Sequence, residues 1–121
     1  MLPKKYRLKG EKVEEVLKTG WRFKGNILNL YTKKKKTQGP SQIGIVVPQK
    51  VASKPTKRNR LKRQIREAVR KRLQEIRDNF QLLFMARKEI IGKTFKDIEK
   101  EIENLLQKAR LKKSLIKKKK T

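Results

Sequence analysis

Arginine and lysine recur on a helical period between residues 57 and 77. At about 100° per residue, five polar side chains of this segment fall within roughly 60° of one another, namely Asn59, Arg63, Arg66, Arg70 and Arg77. An apolar stripe lies opposite them and consists of Leu61, Ile65, Ala68, Val69, Leu73 and Ile76. A guanidinium group can donate two parallel hydrogen bonds to one phosphate, so this face predicts a helix that binds a polyanion.

The net charge points to the same kind of partner. The chain of 121 residues has 37 Lys and Arg against 11 Asp and Glu, a formal charge of +26. A compact domain with this charge repels itself and is favoured when it binds a polyanion. The basic residues lie on several patterned segments and not on one lipid-facing helix, so nucleic acid is favoured over an anionic membrane surface.

Several chemistries are excluded by composition. The chain has no cysteine, which excludes disulfides and thiolate metal sites, and no histidine, so the commonest general base is missing. No apolar run follows the N-terminal Met1-Leu2-Pro3-Lys4-Lys5 or approaches membrane-spanning length. We therefore expect a soluble, cytoplasmic protein.

The hydrophobic pattern predicts alternating helices and strands. Helices are expected at residues 11–19 and 57–77, and from Thr94, where Asp97 three residues later completes a capping box. Strands are expected at 27–32, 43–47 and 80–86, with a short edge strand at 21–24. The almost wholly apolar 43–47 strand is expected at the centre of the sheet, and the Lys-, Gly- and Pro-containing segment 33–41 is expected to form a hairpin loop.

These elements predict one small α+β domain, with helices packed on a single mixed sheet. We assign residues 1–111 to the domain and the lysine-rich residues 112–121 to a disordered basic tail. The unit 43–47, long helix, 80–86 predicts a parallel strand pair, for which a right-handed crossover is the default.

The run KRNRLKRQIRE at 57–67 resembles the RNR signature of the bacterial ribonuclease P protein family. The resemblance spans nearly the whole chain: Tyr6-Arg7-Leu8 before the first helix, 43–47 followed by Lys50, and 80–88 match in order and spacing. It implies a left-handed crossover, similar to the second domain of ribosomal protein S5, in place of the right-handed default. It also implies that the catalytic RNA is contacted by Arg58, Asn59, Arg60, Lys62, Arg63, Arg66 and Arg70.

The resemblance further implies a cleft, between the first helix and the sheet, that holds the single-stranded 5′ leader of precursor tRNA. Its residues here would be Val13, Leu17, Tyr31 and Lys50. Single-stranded RNA is held by basic grooves and aromatic stacking, so Tyr31 is the best stacking candidate, with Trp21 and Phe23 as further ones. The family usually has phenylalanine at the position of Val13 and often has an aromatic residue at the position of Leu17. Both residues are aliphatic here, which leaves stacking chiefly to Tyr31.

The residues predict no catalytic site in the protein itself. Two acid pairs of the last helix share a face, Asp97 with Glu101 and Glu99 with Glu103, and either could hold Mg²⁺. Ion pairs with Lys96 and Lys100 are the favoured alternative, so we expect no protein-bound metal. The resemblance implies that the RNA subunit and its Mg²⁺ remove the leader, with the protein as accessory subunit.

Two other function classes fit the charge and size. A small ribosomal protein or general RNA chaperone would show no preference for tRNA that carries a leader. A DNA-binding regulator would place an arginine helix in the major groove, but no helix-turn-helix pattern or dimer zipper is present, so no DNA partner is expected.

Overall fold

The computed structural model describes residues 2–113. Its helices are α1 (Gly10–Thr19), α2 (Pro55–Arg70) and α3 (Phe95–Lys108), and its strands are β1 (Trp21–Lys24), β2 (Leu28–Lys34), β3 (Gln42–Val46) and β4 (Phe80–Ala86). Short 3₁₀ turns lie at Lys4–Tyr6, Leu73–Glu75 and Lys88–Ile90. This is the predicted α+β domain with a single mixed sheet. No helix within the described part of the chain is both long and apolar enough to cross a membrane.

The sheet has the order β1-β2-β4-β3, so β4 and not β3 is the apolar central strand. β4 pairs antiparallel with β2 and parallel with β3. The predictions that 43–47 lies at the centre and that 33–41 closes a hairpin are therefore wrong, because β4 is inserted between β2 and β3. The apolar character of β3 has another cause. The N-terminal segment covers its outer edge, where the N–H of Leu8 donates to the carbonyl of Ile43 at 3.0 Å.

Backbone hydrogen bonds fix the hand of the β3–α2–β4 unit. The N–H of Lys35 donates to Asn79 and the carbonyl of Ile27 accepts from Arg87, so odd-numbered residues along β2 direct their backbone polar groups toward β4. The side chain of Tyr31 lies on the α1 side of the sheet. We view the sheet from the α1 side with β2 running upward. In an L-residue whose side chain points toward the viewer, the backbone N–H and C=O groups then point to the right. Strands β4 and β3 therefore lie to the right of β2, and α2 lies behind the sheet. The crossover is left-handed, as the resemblance implies, and the right-handed default is wrong.

Two apolar layers result from the alternation along the strands. Leu28, Leu30 and Phe84 face α2 and α3, whereas Tyr31 and Leu83 face α1. The main core lies between the sheet and α2 with α3, and a smaller cluster lies under α1. The sheet therefore separates the long basic helix from the surface that the first helix borders.

The long helix ends earlier than its periodicity predicts. α2 stops at Arg70, and a 3₁₀ turn follows at Leu73–Glu75. Leu73 and Ile76 still pack on the core, because a three-residue turn keeps the spacing that the sequence pattern shows. Ile76 is extended and pairs with Lys112, which itself lies in the predicted tail. The remainder of that tail, from 114, lies outside the described residues.

Candidate nucleic-acid interface

The start of α2 is an uncapped and wholly basic helix end. Pro55 occupies the first turn, Lys54 provides no side-chain cap, and the first turn contains no acidic residue. The N–H groups of Lys57 and Arg58 donate to the carbonyl of Lys54, but no acidic side chain of the first turn neutralises the positive end of the helix dipole. This is the arrangement in which a helix N-terminus accepts phosphate.

The exposed face of α2 brings most of the predicted RNA-contacting residues together. Asn59, Arg60, Arg63 and Arg70 are exposed, and Arg58, Lys62 and Arg66 are half-buried. The opposite face buries Ile65, Ala68 and Val69 in the core. Arg77 does not belong to this face: it follows the end of the helix, its N–H donates to Leu111 and its guanidinium to Arg110.

The arginines of α2 differ in what already binds them. Arg58 donates to the carbonyls of Ala52 and Ser53 at 3.1 and 2.9 Å, and so ties the helix to the loop that precedes it. Arg70 pairs with Glu67, and its hydrogen bond lowers the pKa of the Glu67 carboxyl. Arg63 has no hydrogen bond or ion pair within residues 2–113, so its charge is fully available to a ligand.

A groove lies on the other face of the sheet, beside α1. Val13, Leu17 and Tyr31 pack together over a small cluster centred on Val16 and Leu83. Tyr31 is only half-buried, and its open side borders a groove of about 470 Å³. This groove, called the leader groove below, is lined by Asn29, Tyr31, Pro48, Lys50, Val51, Met85, Ala86, Arg87, Lys88 and Glu89. Of the four predicted cleft residues, Tyr31 and Lys50 line the groove, whereas Val13 and Leu17 pack on the same cluster as Tyr31 and do not line it.

Helix α1 packs on the same face of the sheet as Tyr31. Val13 and Leu17 pack on the cluster of Val16 and Leu83, whereas Lys12 and Glu15 line a separate recess with the loop from Lys33 to Lys36. Lys33 donates to Glu15 at 2.8 Å, and this hydrogen bond lowers the pKa of the Glu15 carboxyl.

Strand register adds groove residues that the sequence does not single out. Arg22 lies directly opposite Tyr31 on the neighbouring strand, and Asn29 lies opposite Met85. All four alternate onto the α1 side, which makes the surface basic and amphipathic. Sequence patterns place residues on strand faces, but they do not give the pairing between β1, β2 and β4. Phe23 and Trp21 lie on the opposite face from Tyr31, so they are not part of this groove.

The acids of α3 are engaged within the fold. Glu101 is buried, and one of its carboxylate oxygens accepts the N–H groups of Ile27 and Leu28 at 2.8 and 3.1 Å. Asp97 completes the predicted capping box with Thr94. The remaining two acids bind Arg72 and Lys112, and not Lys96 or Lys100 as the favoured alternative proposed: Glu99 lies 3.2 Å from Arg72, and Glu103 lies 3.0 Å from Arg72 and 2.8 Å from Lys112.

Gly25 shows why Glu101 can reach the start of β2. A Cβ at this position would lie 2.2 Å from the Glu101 carboxylate and 2.4 Å from the carbonyl of Leu28. Arg87 also donates to the Gly25 carbonyl, so this turn connects the middle of α3, the edge strand and the end of β4. The buried acid therefore positions the strand that carries Tyr31.

Comparison with known proteins matches the chain to one family over nearly all of its described length. The family model "Ribonuclease P" matches residues 2–110. The ribonuclease P protein component of Microcystis aeruginosa is 35% identical over 114 residues, which cover 91% of this chain and 95% of that protein. That of a Synechococcus strain is 38% identical over 72 residues, 60% of this chain and 54% of that protein.

A solved structure shows the same fold. It is a Staphylococcus aureus RNase P protein, in a mutant form described as having defective mRNA degradation activity. It superposes with a TM-score of 0.80 at 26% identity, over 89% of this chain and 91% of that one.

Proposed function

The chain belongs to the ribonuclease P protein family, and on that premise we propose that it assists a catalytic RNA in removing the 5′ leader from precursor tRNA. Membership of this family makes it an RNA-binding component of an endoribonuclease complex that processes tRNA, with an RNA subunit as partner. In our proposal the exposed face of α2 binds the catalytic RNA, and the leader groove binds the single-stranded leader. We place this complex in the cytoplasm.

One observation carries the proposal: the basic face of α2 and the groove beside Tyr31 lie on opposite faces of one sheet and are joined by one short loop. The loop after β3 carries Lys50 into the leader groove and then leads into the basic start of α2. Arg58 holds this loop through its hydrogen bonds to Ala52 and Ser53. A protein of this form can contact a folded RNA and an emerging single strand at the same time.

The two surfaces suit different forms of RNA. The α2 face offers guanidinium groups and the positive end of the helix dipole, which match the phosphates of a structured RNA. The leader groove offers one open aromatic side, at Tyr31, with Lys50 and Arg22 nearby, which matches unpaired bases and their phosphates. In this division of labour the protein supplies leader affinity and neutralises charge where two RNAs meet.

The hydrolysis itself is assigned to the RNA subunit and the Mg²⁺ that it binds. The chain has no histidine or cysteine to act as base or nucleophile. Its α3 carboxylates cap the helix or bind backbone N–H groups, Arg72 and Lys112. The protein residues therefore bind and orient, and no step of the reaction is assigned to them.

Reconstitution tests the proposal. The protein is combined with a bacterial ribonuclease P RNA at low Mg²⁺. Cleavage of leader-bearing tRNA is measured, and the affinities of the complex for leader-bearing and leaderless tRNA are compared. We expect correct cleavage that depends on both subunits and tighter binding of the leader-bearing form. Equal affinity for both tRNAs would instead favour a general RNA chaperone. Protein alone should not cleave precursor tRNA, and site-specific cleavage by RNA-free protein would contradict the assignment.

A further inference from the structure

Trp21 is the one tryptophan of the chain, and its side chain is 76% exposed on the edge strand β1. Phe23, two residues later on the same face, packs against the main core. Trp21 therefore lies on a core-facing side of the strand but outside the core. A large aromatic side chain with this exposure contributes little to packing, and a nucleotide base can reach it.

Strand register places Trp21 one strand away from Tyr31, on the other face of the sheet. Arg22 is opposite Tyr31 on the α1 side, where directly paired Cβ atoms lie about 5 Å apart. Trp21 is the next residue, on the other side of the same edge strand, and is paired with Thr32. Lys34 shares that side, at the diagonal position to Trp21 along β2, within reach of long side chains.

We propose that Trp21 stacks on a base of the precursor leader, upstream of the nucleotides held at Tyr31, as the strand passes over Arg22 and around the edge of β1. This rests on the proposed function of the leader groove. Lys34 then neutralises a phosphate of the same segment. The site requires only an unpaired base and a phosphate, so it is tolerant of sequence.

The position of Trp21 favours the leader over the catalytic RNA. β1 and β3 form opposite edges of the sheet, and α2 packs beside β3, whereas α3 packs beside β1 and β2. An RNA bound along the exposed face of α2 is therefore separated from Trp21 by the whole width of the sheet. Tyr31, by contrast, lies on β2, the strand that pairs directly with β1.

A second copy of this chain is the competing occupant of an exposed aromatic edge strand. The formal charge of +26 opposes that association, since two such surfaces repel each other before any apolar contact forms. A polyanion removes this repulsion. The charge complementarity of the site therefore selects RNA.

A series of leaders of increasing length, up to about 16 nucleotides, tests the inference with reconstituted holoenzyme. We expect affinity to rise in two steps as the leader lengthens, the first dependent on Tyr31 and the second on Trp21. Trp21→Ala should remove only the second step, a loss of about 5- to 10-fold at the low end of a base–aromatic stack. Trp21→Phe should keep most of it, and the first step should be unchanged in both variants.

Fluorescence of Trp21 gives an independent readout, because no other tryptophan contributes to the signal. Holoenzyme with a long leader should quench it, and holoenzyme with a short leader should not. Quenching by the catalytic RNA alone, or by raising protein concentration without RNA, would overturn the inference by naming another occupant.

The two proposals fail in different ways. If affinity rises in the first step but shows no second step as the leader lengthens, the role of Trp21 is overturned and the proposed function of the leader groove stands. Loss of both steps in the wild-type protein overturns the leader groove and this inference with it.

Discussion

Replacing Tyr31 with alanine should reduce the preference of the holoenzyme for leader-bearing over leaderless tRNA. Tyr31 packs on the cluster of Val16 and Leu83 and is half-buried, so only the part of the ring that borders the leader groove is open to a base. A base–aromatic stack contributes about 1–3 kcal/mol, and a single open face places the expected loss at about 1–2 kcal/mol. Since about 1.4 kcal/mol is tenfold, the preference should fall by roughly 5- to 30-fold.

The same substitution also removes apolar packing, so it needs controls. Tyr31→Phe keeps the ring face and should retain most of the preference. Val16→Ala removes a methyl pair from the same cluster, but Val16 is fully buried and cannot contact RNA. It should lower the free energy of unfolding by about 1–2 kcal/mol and leave the preference unchanged.

The assay measures equilibrium binding of both tRNAs by each holoenzyme at one salt concentration, because phosphate contacts make affinity strongly dependent on salt. Leaderless tRNA should bind all variants almost equally. If Tyr31→Ala weakens both tRNAs by the same factor, or if Val16→Ala reproduces its effect, Tyr31 is a packing residue and the reasoning is refuted.

Four further outcomes follow from the contacts described above. Arg63→Ala should lower the log–log salt slope of catalytic-RNA binding by about 0.7–0.9 with native circular dichroism, and an unchanged slope would exclude a phosphate contact. Arg70→Ala should lower it less, because Glu67 already pairs with that guanidinium; an equal effect in the same titration would contradict this. Glu101→Ala should cost about 3 kcal/mol in urea unfolding, since two buried N–H groups lose their acceptor, and Glu101→Gln should cost less. The hydrogen bond from Lys112 lowers the pKa of the Glu103 carboxyl, so this pair stabilises the fold at pH values above the ordinary carboxyl pKa. The stabilisation is lost as the pH falls through the lowered pKa. In Lys112→Met, the free energy of unfolding should therefore depend less on pH below about pH 5.

Much of the fold follows from local patterns. The bounds 21–24 and 80–86 agree with the strands observed, and Thr94 with Asp97 marks the start of α3 because a capping box satisfies N–H groups within one turn. The prediction for 43–47 was wrong about the position of β3 because an apolar strand can be buried by the rest of the sheet or by another segment. Here the N-terminal segment at Leu8 covers it, and no periodicity along β3 records that contact.

The hand of the crossover could not be obtained from the residues alone. The left-handed connection is a property of how β4 enters between β2 and β3, and only the resemblance implied it before the structure did. The predicted length of α2 was wrong because an α-helix and a 3₁₀ turn can present the same apolar spacing to one core. Leu73 and Ile76 fit both conformations.

For the candidate sites, the sequence shows which types of side chain are present, and the structure shows which of these side chains are available to bind RNA. The basic run at the start of α2 is visible as a motif, yet Arg58 is partly engaged in holding the Lys50 loop and Arg77 lies off the helix. Conversely, Arg22 has no motif, and only its pairing with Tyr31 places it beside the leader groove. Phosphate recognition requires charged groups that the fold has not already neutralised. The groups best placed to bind RNA therefore have a position fixed by strand register or by a helix face, and their hydrogen-bond donors have no partner within the described protein.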